Sequence, residues 1–324
     1  MPHEIDLSTG KPAIAYVGEK PWHELGERLE PGASIETWLR AAGLEWKLER
    51  LPVQYLVDGS LKTMDDRFVL VRNDTHAALS VVSADYQIVQ PSEVLEFCRD
   101  LVETCGYILE TAGALDSGRK VWALARAGRN ETADTGGKDE LAAYVLLATS
   151  CDKALATTAA FTSIRVVCRN TLFFALEDVG MKKRRYIKVA HNIYFEAGEV
   201  KEQLGLIDKA WSAFLEQVRK MAEHPMEREN ASSFFQSLFP QGKSKRLSNK
   251  AQREYEALIG LFGSALGQEI GSAKDTLWGA VNAVGYYADH VRTGTAGERL
   301  NSAWFGAASA LKERAWHQAL SIIS

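Results

Sequence analysis

Two runs of cations are the residues in this chain whose types and spacing point most directly to chemistry. Met181-Lys-Lys-Arg-Arg-Tyr-Ile-Lys188 carries five basic residues in eight, and Gly242 to Arg253 carries five in twelve. Arg165 and Arg169 stand just upstream of the first run. Cations at this density with an aromatic among them suit a single nucleic-acid strand, because they displace counterions from phosphates while the ring stacks on a base. The same composition also describes a solvated charged turn. The predicted nucleic-acid-binding set is Arg165, Arg169, Lys182, Lys183, Arg184, Arg185 and Lys188 on phosphates, with Tyr186 as a stacking platform.

The upstream arginines sit in Phe161-Thr-Ser-Ile-Arg-Val-Val-Cys-Arg-Asn-Thr-Leu172, which reads as an apolar strand ending in a polar turn. Asn170 and Thr171 have the side-chain oxygens of helix caps, so a helix is expected to begin at Leu172. A strand that meets a helix N-terminus between two arginines makes a reasonable anion site.

Other constellations point elsewhere. Asp65, Asp66, Asp116 and Asp152 could supply carboxylates to a metal-dependent nuclease, although lone aspartates are usually turn formers. His290 could act as a base oriented by Asp289, but neighbours on a helix point about 100° apart. Trp278, Asn282 and Tyr286 fall on one helix face, where such a stripe is more often core than a stacking surface. Cys168 closes an apolar strand, where a thiol is usually inert packing. The four cysteines, Cys98, Cys105, Cys151 and Cys168, form no CxxC pair, so neither a zinc site nor a disulfide framework is expected. No GxxxxGK[ST], GxGxxG, HExxH or GxSxG occurs, which leaves nucleotide hydrolysis, dinucleotide chemistry and the common hydrolases without support. No cofactor and no metal is expected.

The elements that must position these residues change character along the chain. Residues 1–33 read as an irregular arm. Ser34 caps a helix from Ile35 to Ala42, ended by Gly43. Val53–Val57, an Asp58-Gly59-Ser60 turn, Phe68–Arg72, Ala78–Val82 and Tyr86–Gln90 read as short antiparallel strands. Pro91 opens a helix that Gly106 stops. Strands are expected again at 107–112, 120–126, 141–149, 156–162 and 164–168. From about Tyr194 the pattern is helical to the end, over 196–223, 231–239, 250–266, 276–292 and 297–322. The expected class is α+β: an N-terminal antiparallel sheet with a packed helix, β-β-β-α-like, then a mostly helical C-terminal half. The domains would be an arm at 1–33, an α+β core at 34–190 and a helical domain at 191–324.

These segments resemble a family of bacterial phage- and plasmid-borne proteins of unknown function, the "phage/plasmid-like" proteins. The resemblance rests on His3-Glu4-Ile5, Ala15-Tyr16-Val17-Gly18, Pro21-Trp22-His23, Tyr86–Gln90, Gly118–Trp122, Ile164–Leu172, Trp278–Ala283, Asp289-His290 and Arg299-Leu300. It implies a mobile-element origin. Where a His-Asp-Gly triplet is expected, this chain has Cys151-Asp152-Lys153, so a histidine-dependent activity at that turn is not carried over. The strand–strand–strand–helix order through Cys105 is similar, at the level of fold, to the core of single-strand annealing proteins, which hold DNA in a basic groove and need no nucleotide.

Composition sets the frame. The 324 residues are 46% hydrophobic and 25% charged with a net charge of −4, ordinary for a globular protein. No apolar run approaches the ~18 residues of a membrane span, and the start shows no signal-peptide pattern, so a cytoplasmic location is expected. The expectation is a non-enzymatic phage or plasmid protein that binds single-stranded DNA, extends to strand annealing in recombination or replication, and works as a homo-oligomer. A metal-dependent nuclease and an interaction module acting against host defence are the alternatives.

Overall fold

A computed structural model describes residues 5–18, 25–133, 137–152, 157–165, 170–173, 186–188, 197–240, 246–293, 302–304 and 306–324. The chain forms two compact units. The first takes in Met1–Gly128, Tyr144–Ala160 and Tyr186–Val200; the second takes in Arg129–Ala143, Phe161–Arg185 and Lys201–Ser324. Strands come first and helices dominate after residue 197, so the fold is α+β as the sequence predicts.

In the first unit, β1 (Ile14–Val17) pairs in parallel with β2 (Glu27–Leu29). On its other side β1 runs antiparallel to β6 (Ile108–Leu115), with Ile14 opposite Gly113. The residues read as an irregular arm thus supply two strands. The β6 partner of β1 lies nearly a hundred residues away, so no local pattern announces that pairing. Helix α1 (Ile35–Ala41) starts where Ser34 Oγ accepts the Thr37 N–H at 3.3 Å. It packs on α2 (Pro91–Cys105), which presents Val94, Leu95 and Cys98 to the core. The Gln90 N–H donates to Glu93 Oε2 at 3.1 Å ahead of that helix, and Gly106, at φ 68°, stops it.

Between the two helices lies a three-stranded antiparallel sheet, β3 (Leu48–Val57), β4 (Ser60–Arg72) and β5 (Ala78–Ser83), in that order. Asp58 and Gly59 turn the first hairpin with φ of 47° and 76°, the two positive angles of a type I′ turn. Tyr86–Gln90, expected as a strand, is irregular. Its position is set by the Tyr86 hydroxyl, which donates to the Ser150 carbonyl at 3.2 Å.

The large sheet has eight strands among the described residues, ordered β10-β9-β8-β7-β6-β1-β2, with β11 also on β9. Its remaining members are β7 (Lys120–Thr132), β8 (Glu140–Ser150), β9 (Thr158–Arg165), β10 (Asn170–Phe173) and β11 (Tyr186–Lys188). The stretches expected as separate strands at 156–162 and 164–168 are one strand, β9, with 166–168 outside the described residues.

In the second unit the helices are α3 (Ala197–Glu223), α4 (Arg228–Ser237), α5 (Asn249–Leu261), α6 (Leu277–Tyr286) and α7 (Ala307–Ile323). Every residue of α6 from Leu277 to Gly285 is buried, as a helix apolar on all sides must be. Its first turn admits only glycine at 279, where a Cβ would lie 1.9 Å from the Ala273 carbonyl oxygen. The helix runs on as a π-helical turn, Tyr287–Val291. Trp211, Phe214 and Trp316 stack in series with centroids 5.5 and 5.1 Å apart.

Candidate nucleic-acid interface

Of the predicted set, Arg169, Lys182, Lys183, Arg184 and Arg185 lie outside the described residues, as does Cys168. The backbone places the other three. Arg165 is the last residue of β9 and stands opposite Asn170 of β10. Tyr186 and Lys188 belong to β11 and stand opposite Ala160 and Thr158, toward the start of β9. The basic run therefore ends as a strand of the large sheet, while Arg165 and Lys188 mark opposite ends of the strand it pairs with.

One expectation at this corner is overturned. Asn170 and Thr171 do not cap a helix: Asn170–Phe173 is β10, antiparallel to β9 with Phe173 opposite Thr162. An Asn-Thr pair after a strand is equally the signature of a chain reversal, and the edge of β9 decides between the two outcomes. The anion site built on a helix N-terminus is withdrawn with the helix.

The rival constellations are also placed. Asp65 and Asp66 are exposed on β4, Asp66 pairing with its neighbour Arg67 at 2.8 Å. Asp116, at φ 52°, opens a single 3-10 turn and pairs with Arg119 at 3.2 Å. Asp152 follows β8 beside Cys151. No three His, Cys, Asp or Glu among the described residues converge as metal ligands. Cys151 donates to the Gly118 carbonyl at 3.7 Å, and burial, reinforced by Asp152, pushes its thiol up to about 12. Burial also raises Cys98. Neither thiol is a nucleophile at neutral pH.

The Asp289–His290 pair has another purpose. Asp289 accepts the ammonium of Lys312 at 2.7 Å, both groups being buried, and so ties the π-helical turn to α7. His290 lies against Tyr286, with centroids 4.8 Å apart. Trp278 and Asn282 are core. The Trp278 indole N–H donates to Asp139 Oδ2 at 3.0 Å, and the Ser272 hydroxyl donates to the same oxygen at 2.5 Å. The stripe thus carries a buried carboxylate rather than a stacked base.

Sequence reasoning passed over one heavily bonded cation of the first unit. Arg72, fully buried at the end of β4, gives Nε and Nη2 to the two oxygens of Asp74 at 2.9 and 2.7 Å. Its Nη1 reaches Asp6, Ser8 Oγ at 3.2 Å and the Ser117 carbonyl at 3.1 Å. The guanidinium also lies 4.3 Å from the Trp46 ring centroid. Burial alone would lower the Arg72 pKa, but Asp74 and Asp6 outweigh it and hold the group charged. Around Asp74 burial pulls upward and the Arg72 bonds pull further downward, leaving its carboxyl below the usual range. With its donors so engaged, Arg72 is a clamp between distant segments rather than a ligand site. Arg50 is similarly occupied, bonding the Ala84 carbonyl at 2.9 Å and the Tyr86 carbonyl.

The family profile described as Domain of unknown function (DUF932) matches residues 78–316. The chain belongs to that family. The matched span runs from the first residue of β5 into α7, and so contains the basic run, β9 to β11 and the Asp289–Lys312 pair. The β3–β4 hairpin lies before the DUF932 match. No curated protein and no solved structure matches the chain. No helix among the described residues is long and apolar enough to cross a membrane.

Proposed function

We propose that this DUF932 protein is a phage- or plasmid-encoded homo-oligomer that binds single-stranded DNA and promotes annealing of complementary strands. The observation that carries the reading is the run from Met181 to Lys188, whose last residues form β11 on the open side of β9. The last residues of the run are tied to β9 by main-chain pairing, and cations at this density neutralise phosphates. The order β3, β4, β5, α2 supports the annealing part, because it follows the strand–strand–strand–helix order of annealing cores; that support is a likeness of fold alone.

The test is a salt titration of single-strand binding. Replacing Lys182, Lys183, Arg184 and Arg185 together by glutamine should flatten the log–log salt slope by about 3, since each phosphate neutralised on a single strand contributes about 0.7. Tyr186→Ala should weaken binding by about 1–3 kcal/mol without changing the slope. No affinity of the parent protein at low salt, or an unchanged slope in the four-fold variant, would end the proposal. The nuclease alternative has no convergent carboxylates behind it among the described residues.

A further inference from the structure

The second cationic run, Gly242 to Arg253, has no part in the reading above. Three of its five cations, Arg246, Lys250 and Arg253, fall within the described residues, and all three are exposed. Ser248 fixes their setting: its Oγ accepts the Ala251 N–H at 3.2 Å and starts α5. Lys250 and Arg253 are three apart on that helix and so share a side of it. Arg246 lies two residues ahead of the cap.

Several cations elsewhere in the second unit have carboxylates beside them. Lys220 pairs with Glu216 at 2.8 Å, Arg219 with Glu131 at 3.6 Å and Lys312 with Asp289 at 2.7 Å. Among the described residues, Arg246, Lys250 and Arg253 have no such partner. Arg253 engages only its Nε, on the Asn249 carbonyl at 3.2 Å. The run itself holds no acidic residue. The carboxylates that follow it are directed elsewhere: Glu254 toward Arg292 at 3.8 Å, and Glu256 to the Gln252 amide at 2.7 Å. Three positive charges therefore stand uncompensated on one short stretch.

What the patch lacks decides its partner. A protein interface is anchored by apolar or aromatic side chains at its centre, and a helix lying on a lipid surface needs a free apolar face. Among the described residues of the second unit the exposed large apolar side chains are Leu266 and Val291, both outside this run. The ring nearest in sequence, Tyr255, is half-buried with its hydroxyl 2.6 Å from Ser232 Oγ. Uncompensated charge without an anchor suits a phosphate chain, where counterion release supplies the affinity. Such contacts carry no sequence information.

We propose that Arg246, Lys250 and Arg253 form a second phosphate-contact surface, on the helical unit, that holds the backbone of a single strand without reading its bases. The proposal rests on the single-strand reading above, but on none of residues 181–188.

Fluorescence anisotropy of the full chain with labelled oligo-deoxythymidine, titrated with salt, tests it. Replacing Arg246, Lys250 and Arg253 together by glutamine should flatten the log–log slope by about 2, at about 0.7 for each phosphate, and by as much with oligo-deoxyadenosine. Exchanging the three for the other cation (Arg246→Lys, Lys250→Arg, Arg253→Lys) should keep the parent slope. Lys220→Gln, which removes a cation already matched by Glu216, should keep it too. Circular dichroism checks each fold; if the glutamine variant is unfolded, Lys250→Gln alone should flatten the slope by about 0.7. A parent protein without affinity at low salt overturns both this surface and the single-strand reading. Parent binding whose slope the glutamine variant leaves unchanged overturns this surface alone. So does a slope that Lys220→Gln lowers as much for each charge removed, since net charge would then explain the effect. A slope lost in the cation-for-cation variant also overturns it.

Discussion

The two ends of β4 invert the usual distribution of side chains. At the C-terminal end a guanidinium is fully buried; at the N-terminal end Leu61 is 64% exposed, although both belong to one strand. What differs is the company each end keeps. Arg72 has Asp6, Asp74, Ser8, Ser117 and Trp46 around it, so its charge is solvated by the protein. Leu61 has one strand beside it and solvent elsewhere. Burial here follows what the rest of the chain brings to a position, and the polarity of the residue comes second.

That contrast can be broken most sharply at the buried end. Arg72→Met leaves Asp6 buried without its cation and should cost about 3–5 kcal/mol in urea unfolding. A cost below about 1 kcal/mol would mean that the clamp is incidental. Gly118→Ala should cost about 1–3 kcal/mol, since the new Cβ would lie 2.7 Å from Arg72 Nη1 and 3.0 Å from Trp46 in a tightly packed site. Position 118 also has φ 89°, which only glycine adopts freely.

Acid sharpens the same point with a smaller effect. Asp74 has a folded pKa below its ordinary 3.8, so it binds protons more readily unfolded than folded. The stability it contributes is full above pH 3.8 and fades as the pH falls through its depressed folded value. Unfolding midpoints taken below pH 4 should drop less in Asp74→Asn than in the parent protein. At the exposed end the expected effect is smallest. Leu61→Ser should change the stability of the dilute single chain by no more than about 0.5 kcal/mol.

The sequence made one end of β4 legible and hid the other. Asp58-Gly59 between alternating apolar residues specifies a tight hairpin, and the Ser34 cap, the Pro91 start and the Gly106 stop all act within a few residues of themselves. Arg72 looks like any strand-end arginine, because Asp6 and Ser117 are 66 and 45 residues away and only the closed fold brings them to it. The same reason conceals β1 and β2, whose pairing depends on β6. The Asn170-Thr171 corner failed differently: the pair was read as a turn that caps a helix, and the neighbouring edge of β9 takes it up as the start of β10. Helix geometry already spoke against Asp289 orienting His290, but its real partner, Lys312, lies 23 residues on and only the closed fold brings it there. At the candidate site the density of charge was legible, and its attachment to β9 was not, because strand pairing of so short a segment as Tyr186–Lys188 is decided by its partner.

The interleaving of the two units fixes an order of events during synthesis. Unit one is not whole when Gly128 has been made: it still lacks residues 144–160 and 186–200, and stretches of unit two are made in between. At ribosomal speeds of about 5–20 residues per second, roughly 4–14 s separates Gly128 from Val200. Until the later segments arrive, the nascent sheet keeps the edge of β7 open where β8 will pair. A growing chain of this design exposes that edge during synthesis, and a slowly translated stretch just after residue 128 would prolong its exposure.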